Sequence, residues 1–193
     1  MSYEKYIPKE ILDRYETWDY KHAAAILANE FPKEFKEICD VLKKFRFSKE
    51  DILASGGNES NIPKRFSSLL GKNWAPKNLS AEMLVDGIVV KMDTHKIDYC
   101  QGRVAFDLEW NSKDQTFDRD LYAFRAFYEY DRISVGVIVT RSEELNDLFK
   151  SLGIMSKYGA STTWTGKLLP RLNAGRNGGC QVLVFGITSK LVG

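Results

Sequence analysis

Residues 97–110 read Ile97-Asp98-Tyr99-Cys100-Gln101-Gly102-Arg103-Val104-Ala105-Phe106-Asp107-Leu108-Glu109-Trp110. Val104, Phe106 and Leu108 alternate with Ala105, Asp107 and Glu109, the period of two that marks a strand. Gln101-Gly102 fits a tight turn, so 96–100 and 103–110 are expected to form a hairpin. That turn brings Asp98 beside the strand carrying Asp107. Asp107 and Glu109, two apart on a strand, project from one face. Three carboxylates then converge at one end of the hairpin. Like charges so close are unfavourable unless a cation neutralises them, and hard oxygen ligands suit Mg²⁺. With Mg²⁺ bound by carboxylates of this group, and Glu109 orienting a water or joining the ligands, the group suits phosphodiester hydrolysis. A solvated strand face gives the same alternation, and the spacing leaves both open.

Outward from the hairpin the periodicity changes. Toward the N-terminus, residues 19–47 have helical spacing: Ala23, Ile26 and Leu27, then Phe35, Ile38, Val41, Leu42 and Phe45. Pro32 suits the first turn of a second helix. Ser48 and Asp51 resemble a capping box, and Gly56-Gly57-Asn58 signals a turn. Residues 62–74 suit a short helix or an irregular segment, and Ser80-Ala-Glu-Met-Leu resembles a helix start. Gly87–Met92 is apolar and β-branched, as a strand would be. Beyond the hairpin, Leu121, Phe124, Phe127 and Tyr128 predict a helix over 117–130. Ile133–Thr140 and Gln181–Ile187 are continuous apolar runs, the mark of strands buried on both faces. Ser142–Leu152 suits a helix with Ser142 at its N-cap, and 153–180 is expected to be a long polar loop. The order implies an α/β core with an N-terminal helical layer, as one domain over 1–193.

The 193 residues suffice for one sizeable core, with 44% hydrophobic and 12% aromatic content. No apolar run approaches the ~20 residues of a membrane span. The polar opening MSYEKYIPKE does not resemble a signal peptide. Cys39, Cys100 and Cys180 show no metal or disulfide spacing. A cytoplasmic protein with reduced thiols is therefore expected. The net charge of +2 is too balanced to prove a polyanion partner. Basic residues instead recur in the least regular segments, among them Lys64, Arg65, Lys72, Lys77, Lys157, Lys167, Arg171 and Arg176.

The segment 157–179 packs Ser161, Thr162, Thr163, Lys167, Arg171, Arg176 and Asn177 between glycines. Such groups hydrogen-bond phosphates and base edges in a DNA groove, although a flexible surface loop has the same composition. It is no P-loop, because Leu168 follows Gly166-Lys167 where a hydroxyl is required. Lys113, just past the strand, is a candidate phosphate contact or a solvated loop lysine. Asp118 and Asp120 fit a helix start for reasons of dipole. Arg119 and Arg125 would contact phosphate or pair with neighbouring acids. His95 precedes Asp98 by three residues and is a candidate near the metal; His22 suits a structural hydrogen bond.

Four stretches together resemble the BglII/BstYI-type restriction endonucleases, relatives of BamHI within the PD-(D/E)xK nuclease fold. They are Tyr20-Lys-His-Ala-Ala-Ala-Ile-Leu27 with Pro32-Lys-Glu-Phe-Lys-Glu-Ile38, Phe66 to Trp74, Asp98 to Trp110, and Ser134-Val-Gly-Val-Ile-Val139. The resemblance implies a mixed central sheet flanked by helices, and a homodimer gripping palindromic double-stranded DNA. It also implies a cognate DNA methyltransferase in the same system. By family pattern Asp98 is the first metal ligand, Asp107, the second, stands where Glu or Asp is usual, and Glu109 stands where most of the fold has Lys. A repair or structure-specific nuclease of the same fold, and a non-catalytic DNA-binding relative, are the competing classes.

Overall fold

A computed structural model describes residues 2–54 and 60–193; the turn expected at Gly56-Gly57-Asn58 lies outside them. In chain order the elements are α1 (Lys9–Leu12), β1 (Tyr15–Tyr20), α2 (Ala23–Glu30), α3 (Pro32–Lys44), α4 (Lys49–Leu53) and α5 (Asn61–Leu69). There follow β2 (Ala75–Leu79), β3 (Glu82–Val85), β4 (Ile88–Lys91), β5 (His95–Gln101), β6 (Val104–Glu109) and α6 (Thr116–Glu129). The chain closes with β7 (Val135–Arg141), α7 (Leu145–Ser151), α8 (Thr165–Asn173) and β8 (Gln181–Ile187). Among the described residues no helix is long and apolar enough to cross a membrane.

The central sheet has six strands in the order β1-β8-β7-β6-β5-β2. β6, β7 and β8 run parallel, and β1, β5 and β2 pair antiparallel to their neighbours. The sheet is therefore mixed, and it is covered on both faces. On one side Val104, Phe106 and Trp110 pack with Leu27, Phe35, Ile38, Leu42 and Phe66 of the N-terminal helices. On the other, Ala105, Ile138, Val182 and Val184 meet Phe117, Leu121, Phe124 and Phe127 of α6 and Leu168 and Leu172 of α8. Burial on both faces is why β7 is an uninterrupted apolar run.

Four expectations need correction. The helical layer begins at Ala23, because Tyr15–Tyr20 is an edge strand paired along its length with β8. Its aromatic and β-branched residues suit a half-buried edge. Lys21 and His22 then turn the chain with φ of 56° and 63°, and Asp19 accepts the Ala24 N–H at 2.8 Å. Ser80-Ala-Glu-Met-Leu leads into β3, which turns back through Asp86-Gly87 into β4. Both turn residues have positive φ (50° and 79°), the geometry of a two-residue hairpin. The expected long loop contains α8, whose Leu168 and Leu172 are one turn apart and buried. Finally, α7 starts at Leu145; Ser142 Oγ accepts the Glu144 N–H at 3.1 Å and donates to Glu16 at 2.6 Å. The capping box at Ser48 and Asp51 is present as read.

Gly136 sets the distance between β7 and α6. A Cβ there would lie 2.3 Å and 2.4 Å from atoms of the buried Phe124 ring. Gly136→Ala is expected to destabilise the fold by about 1–3 kcal/mol through overpacking, measured by urea denaturation. An unchanged midpoint would show that α6 can yield here.

Candidate active site

The hairpin forms as expected, with its turn one residue later. Gln101 still pairs with Val104, and Gly102, at φ 55°, and Arg103 make the turn. The β5–β6 ladder continues through Tyr99–Phe106 and ends there. At the next position the Asp98 N–H donates to Asp107 Oδ1 at 2.9 Å. A side chain has taken the place of the backbone acceptor, and the two strands part.

A cavity of about 210 Å³ opens at that point, lined by Thr94, His95, Lys96, Asp98, Asp107, Arg119, Asp120 and Ala123. Asp98 reaches it from β5, half-buried, with Lys96 Nζ 3.3 Å from its Oδ1. Asp107 and Glu109 share the face of β6 that carries Ala105, the face covered by α6. Strand alternation sends them under that helix, and both are buried.

Asp120 of α6 meets them there. It falls one residue before Leu121, so the helix turn that buries Leu121 also turns Asp120 inward, to 4% exposure. Neither Asp120 Oδ2 nor Glu109 Oε2 has a hydrogen-bond partner. Asp120 Oδ1 accepts from Arg119 Nη2 at 3.0 Å, and the same nitrogen stands 3.9 Å from Glu109 Oε1. The sequence gives a helix start that explains Asp120 without any site. Only the distance between α6 and β6 reveals the other role.

Burial without enough cations shifts the acids upward. Desolvation pushes the Glu109 carboxyl up to about 8, and the neighbouring Asp120 adds to it. Desolvation also raises Asp120, to about 6, although Arg119 opposes the shift. Asp107 is raised well above the usual carboxylate range by burial and by Asp120, partly offset by the Asp98 N–H. With one proton between Glu109 and Asp120, one carboxyl donates to the other; with none, the burial of like charges favours a cation.

Among the described residues no group of three or more His, Cys, Asp and Glu side chains is placed to hold a metal ion, so the expected convergence of Asp98, Asp107 and Glu109 on one cation is not seen. Mg²⁺ asks for less of the protein, one or two carboxylates with water and phosphate completing its shell. The donors fit it: carboxylates alone, part of them unpartnered, beside an open cavity. His95 lines the cavity too, its ring edge-on to Tyr122 at 4.9 Å.

The candidate DNA-contacting residues divide. Lys113 and Ser161 are exposed, and Thr162 and Lys167 are half-buried. Lys113 and Thr162 pair as a β-bridge just past Glu109, and Ser161 O accepts the Asp114 N–H at 2.9 Å. The two segments are therefore joined just beyond the end of β6. Thr163 and Asn177 turn inward instead. Thr163 Oγ1 accepts the Ser112 N–H at 3.2 Å, and Asn177 Nδ2 donates to the Cys180 carbonyl. Arg171 grips both oxygens of Asp118, at 3.0 and 3.1 Å, and fastens α8 to α6. Arg176, exposed, also pairs with Asp118. Asp118 is held below the usual carboxylate range by these two guanidinium groups, so it stabilises an ion-pair network as well as a helix dipole.

The chain matches none of the individually curated proteins with which it was compared. A family model described as Restriction endonuclease BglII/BglIII matches residues 15–187. Those limits are the first residue of β1 and the last of β8, so the match spans the whole central sheet and every residue of the acidic cluster. The chain belongs to the BglII/BglIII family of restriction endonucleases.

Proposed function

We propose that this protein is a Mg²⁺-dependent type II restriction endonuclease that hydrolyses both strands of a palindromic duplex. It acts as a homodimer, and a cognate methyltransferase protects the host's own sites. Family membership supplies the nuclease activity and the DNA substrate. One observation supports the finer reading: Asp107, Glu109 and Asp120 are buried where α6 covers β6, and Glu109 and Asp120 each keep one oxygen without a hydrogen-bond partner.

In this reading Asp98 and Asp107 hold the cation, from opposite strands of the hairpin. When bound, Mg²⁺ polarises the scissile phosphate, eases ionisation of a water and neutralises the departing 3′ oxygen. Glu109, with Oε2 free of any donor, accepts the proton of the attacking water. Asp120 shares that proton and holds Glu109 in place from the opposite side. Lys96 and Arg119 provide positive charge at the cavity mouth, where a phosphate would lie. Lys113 and Ser161, where the two segments join, contact the duplex backbone.

Purified protein incubated with unmethylated phage DNA and Mg²⁺ is expected to yield discrete fragments that vanish with EDTA. A smear would mean a nuclease without sequence preference, and intact DNA would overturn the catalytic assignment. Asp98→Asn and Glu109→Ala are each expected to lower the cleavage rate by ~10²–10⁴-fold while duplex binding persists. Lys113→Ala should weaken binding of every duplex alike and reduce the salt slope by about one.

The protonation of the cluster gives a second test. Glu109 has a folded-state pKa of about 8, well above its unfolded value near 4.5. The metal-free fold therefore holds a proton that the unfolded chain releases. Its stabilising effect is complete below about pH 4.5 and is lost as the pH rises to about 8. Asp107 and Asp120 shift in the same direction. In EDTA the melting temperature should fall over that window, by the equivalent of ~2–4 kcal/mol, and Glu109→Gln should flatten the profile. A wild-type melting temperature independent of pH would contradict the burial of these acids.

A further inference from the structure

The ladder between β6 and β7 ends at the Glu109–Thr140 pair, and the chain beyond Glu109 leaves the sheet. It is caught again at Ser112 by Thr163, 51 residues further along the sequence. The Thr163 N–H donates to the Ser112 carbonyl at 2.8 Å, and Thr163 Oγ1 accepts the Ser112 N–H at 3.2 Å. A side-chain oxygen thus stands where a neighbouring strand would offer its carbonyl. The clamp continues into the Lys113–Thr162 bridge and the Asp114 N–H bond to the Ser161 carbonyl. Between Glu109 and the clamp, the Trp110 ring meets those of Phe47 and Tyr158 edge-on, at 5.4 and 6.0 Å. Asn111 Nδ2 donates to the Lys157 carbonyl at 3.3 Å. Thr163 itself has no exposed surface.

The clamp brings the Ser112 hydroxyl back to Glu109, where it hydrogen-bonds the carboxyl and favours the charged form against the effect of burial. Other neighbours constrain that carboxyl less. Arg119 Nη2 is 3.9 Å from Oε1, and Oε2 has no hydrogen-bond partner. The Glu109 backbone is already fixed, since the Thr140 hydroxyl donates to its carbonyl at 2.6 Å. What remains to be set is the direction of a side chain with several rotatable bonds, and Ser112 approaches it from the chain's own next turn.

We infer that Thr163 is a positioning residue for Glu109, acting through Ser112: by fixing the turn after β6 it fixes the aim of the group that accepts the proton of the attacking water. The task of Glu109 rests on the nuclease reading; the coupling of Thr163 to Glu109 does not. The role is opposed to the DNA contact that the residue type of Thr163 suggests. A hydroxyl on a groove surface sets affinity for the duplex. A buried clamp behind a catalytic side chain sets the rate of the bound complex and leaves affinity alone. Ser161 and Lys113 are exposed on the same pair of segments, so docking of the duplex and the aim of Glu109 depend on one set of hydrogen bonds.

Two substitutions at one position separate these roles. Thr163→Val keeps the branched shape and removes the acceptor, whereas Thr163→Ser keeps the acceptor. With Mg²⁺ and saturating duplex, Thr163→Val is expected to lower kcat by ~10–100-fold. KM, and the duplex Kd measured in EDTA, should be unchanged, and Thr163→Ser should restore the rate. Ser112→Ala, at an exposed position, should show the same loss of kcat and carries the test if the valine variant folds poorly. The two changes together should cost no more than the larger alone. An unchanged kcat, additive losses, or a loss that falls on Kd and its salt dependence overturns the assignment, the last in favour of a direct DNA contact. Failure of the nuclease reading shows separately, by NMR of the metal-free protein without DNA. There Thr163→Val should move the carbon resonance of the Glu109 carboxyl, and Thr163→Ser should return it. That result with a wild type inert on DNA keeps the coupling and discards the activity; an unmoved resonance discards the coupling.

Discussion

Three acids are kept out of water under one helix, and no cation of the chain neutralises them all. Asp107, Glu109 and Asp120 are each almost fully buried, where a lone ionised carboxylate is costly. Arg119 meets Asp120 closely but stands 3.9 Å from Glu109. Burial therefore favours the protonated acids in the metal-free fold, and full ionisation would require positive charge from outside the cluster. Both the upward pKa shifts and the orphaned oxygens are consequences of this one constraint. So is the parted ladder, since Asp107 takes the Asp98 N–H with a side-chain oxygen and leaves the strand edge open.

The rest of the fold holds α6 and β6 at the separation that makes this possible. Phe117, Leu121, Phe124 and Phe127 press the helix onto the sheet, and Gly136 lets Phe124 approach the backbone of β7. Arg171 ties the start of α6 to α8 through Asp118. Parallel pairing of β6, β7 and β8 aligns Glu109 with Thr140, whose hydroxyl donates to the Glu109 carbonyl at 2.6 Å. The end of the strand is thereby fixed from its neighbour as well as from the helix.

The hairpin, the buried strands and the helix over 117–130 were legible because each has a single strong period. So was the pairing of Asp107 with Glu109, which needs only strand alternation. The edge strand at 15–20 was not, because it is short, half-buried and followed at once by alanines of helical spacing. β3 was mistaken for a helix start because Ser80-Ala-Glu satisfies local capping preferences; its identity depends on pairing with residues 88–91. Asp120 was hidden for a different reason. An acid close to an expected helix start needs no further explanation, and what changes its meaning is a strand eleven residues earlier in the chain. In the segment 157–179 composition was a poor guide to placement: Thr163, Asn177 and Arg171 have the residue types of a DNA surface, but the fold uses them internally.

A buried arginine explains why that segment is a fixed surface and not a loop. Arg141, at the end of β7, is 1% exposed and forms no ion pair with a carboxylate among the described residues. Its guanidinium lies 5.6 Å from the centre of the Phe149 ring and 5.5 Å from that of Tyr158. It donates to the Tyr158 carbonyl and to Thr162 Oγ1, while Nε and Nη1 have no partner. Burial lowers its pKa to about 10, so the group stays charged at neutral pH at a cost in desolvation. An apolar residue would avoid that cost but could not hold two backbone turns by their oxygens. With Arg141 in place, residues 158–162 are fastened to the strand beside β6, and Thr162 is bridged to Lys113. The joined segments are set at a fixed position four residues beyond Glu109. The desolvation cost at Arg141 is thus offset by the rigidity it gives the segment that faces Lys113.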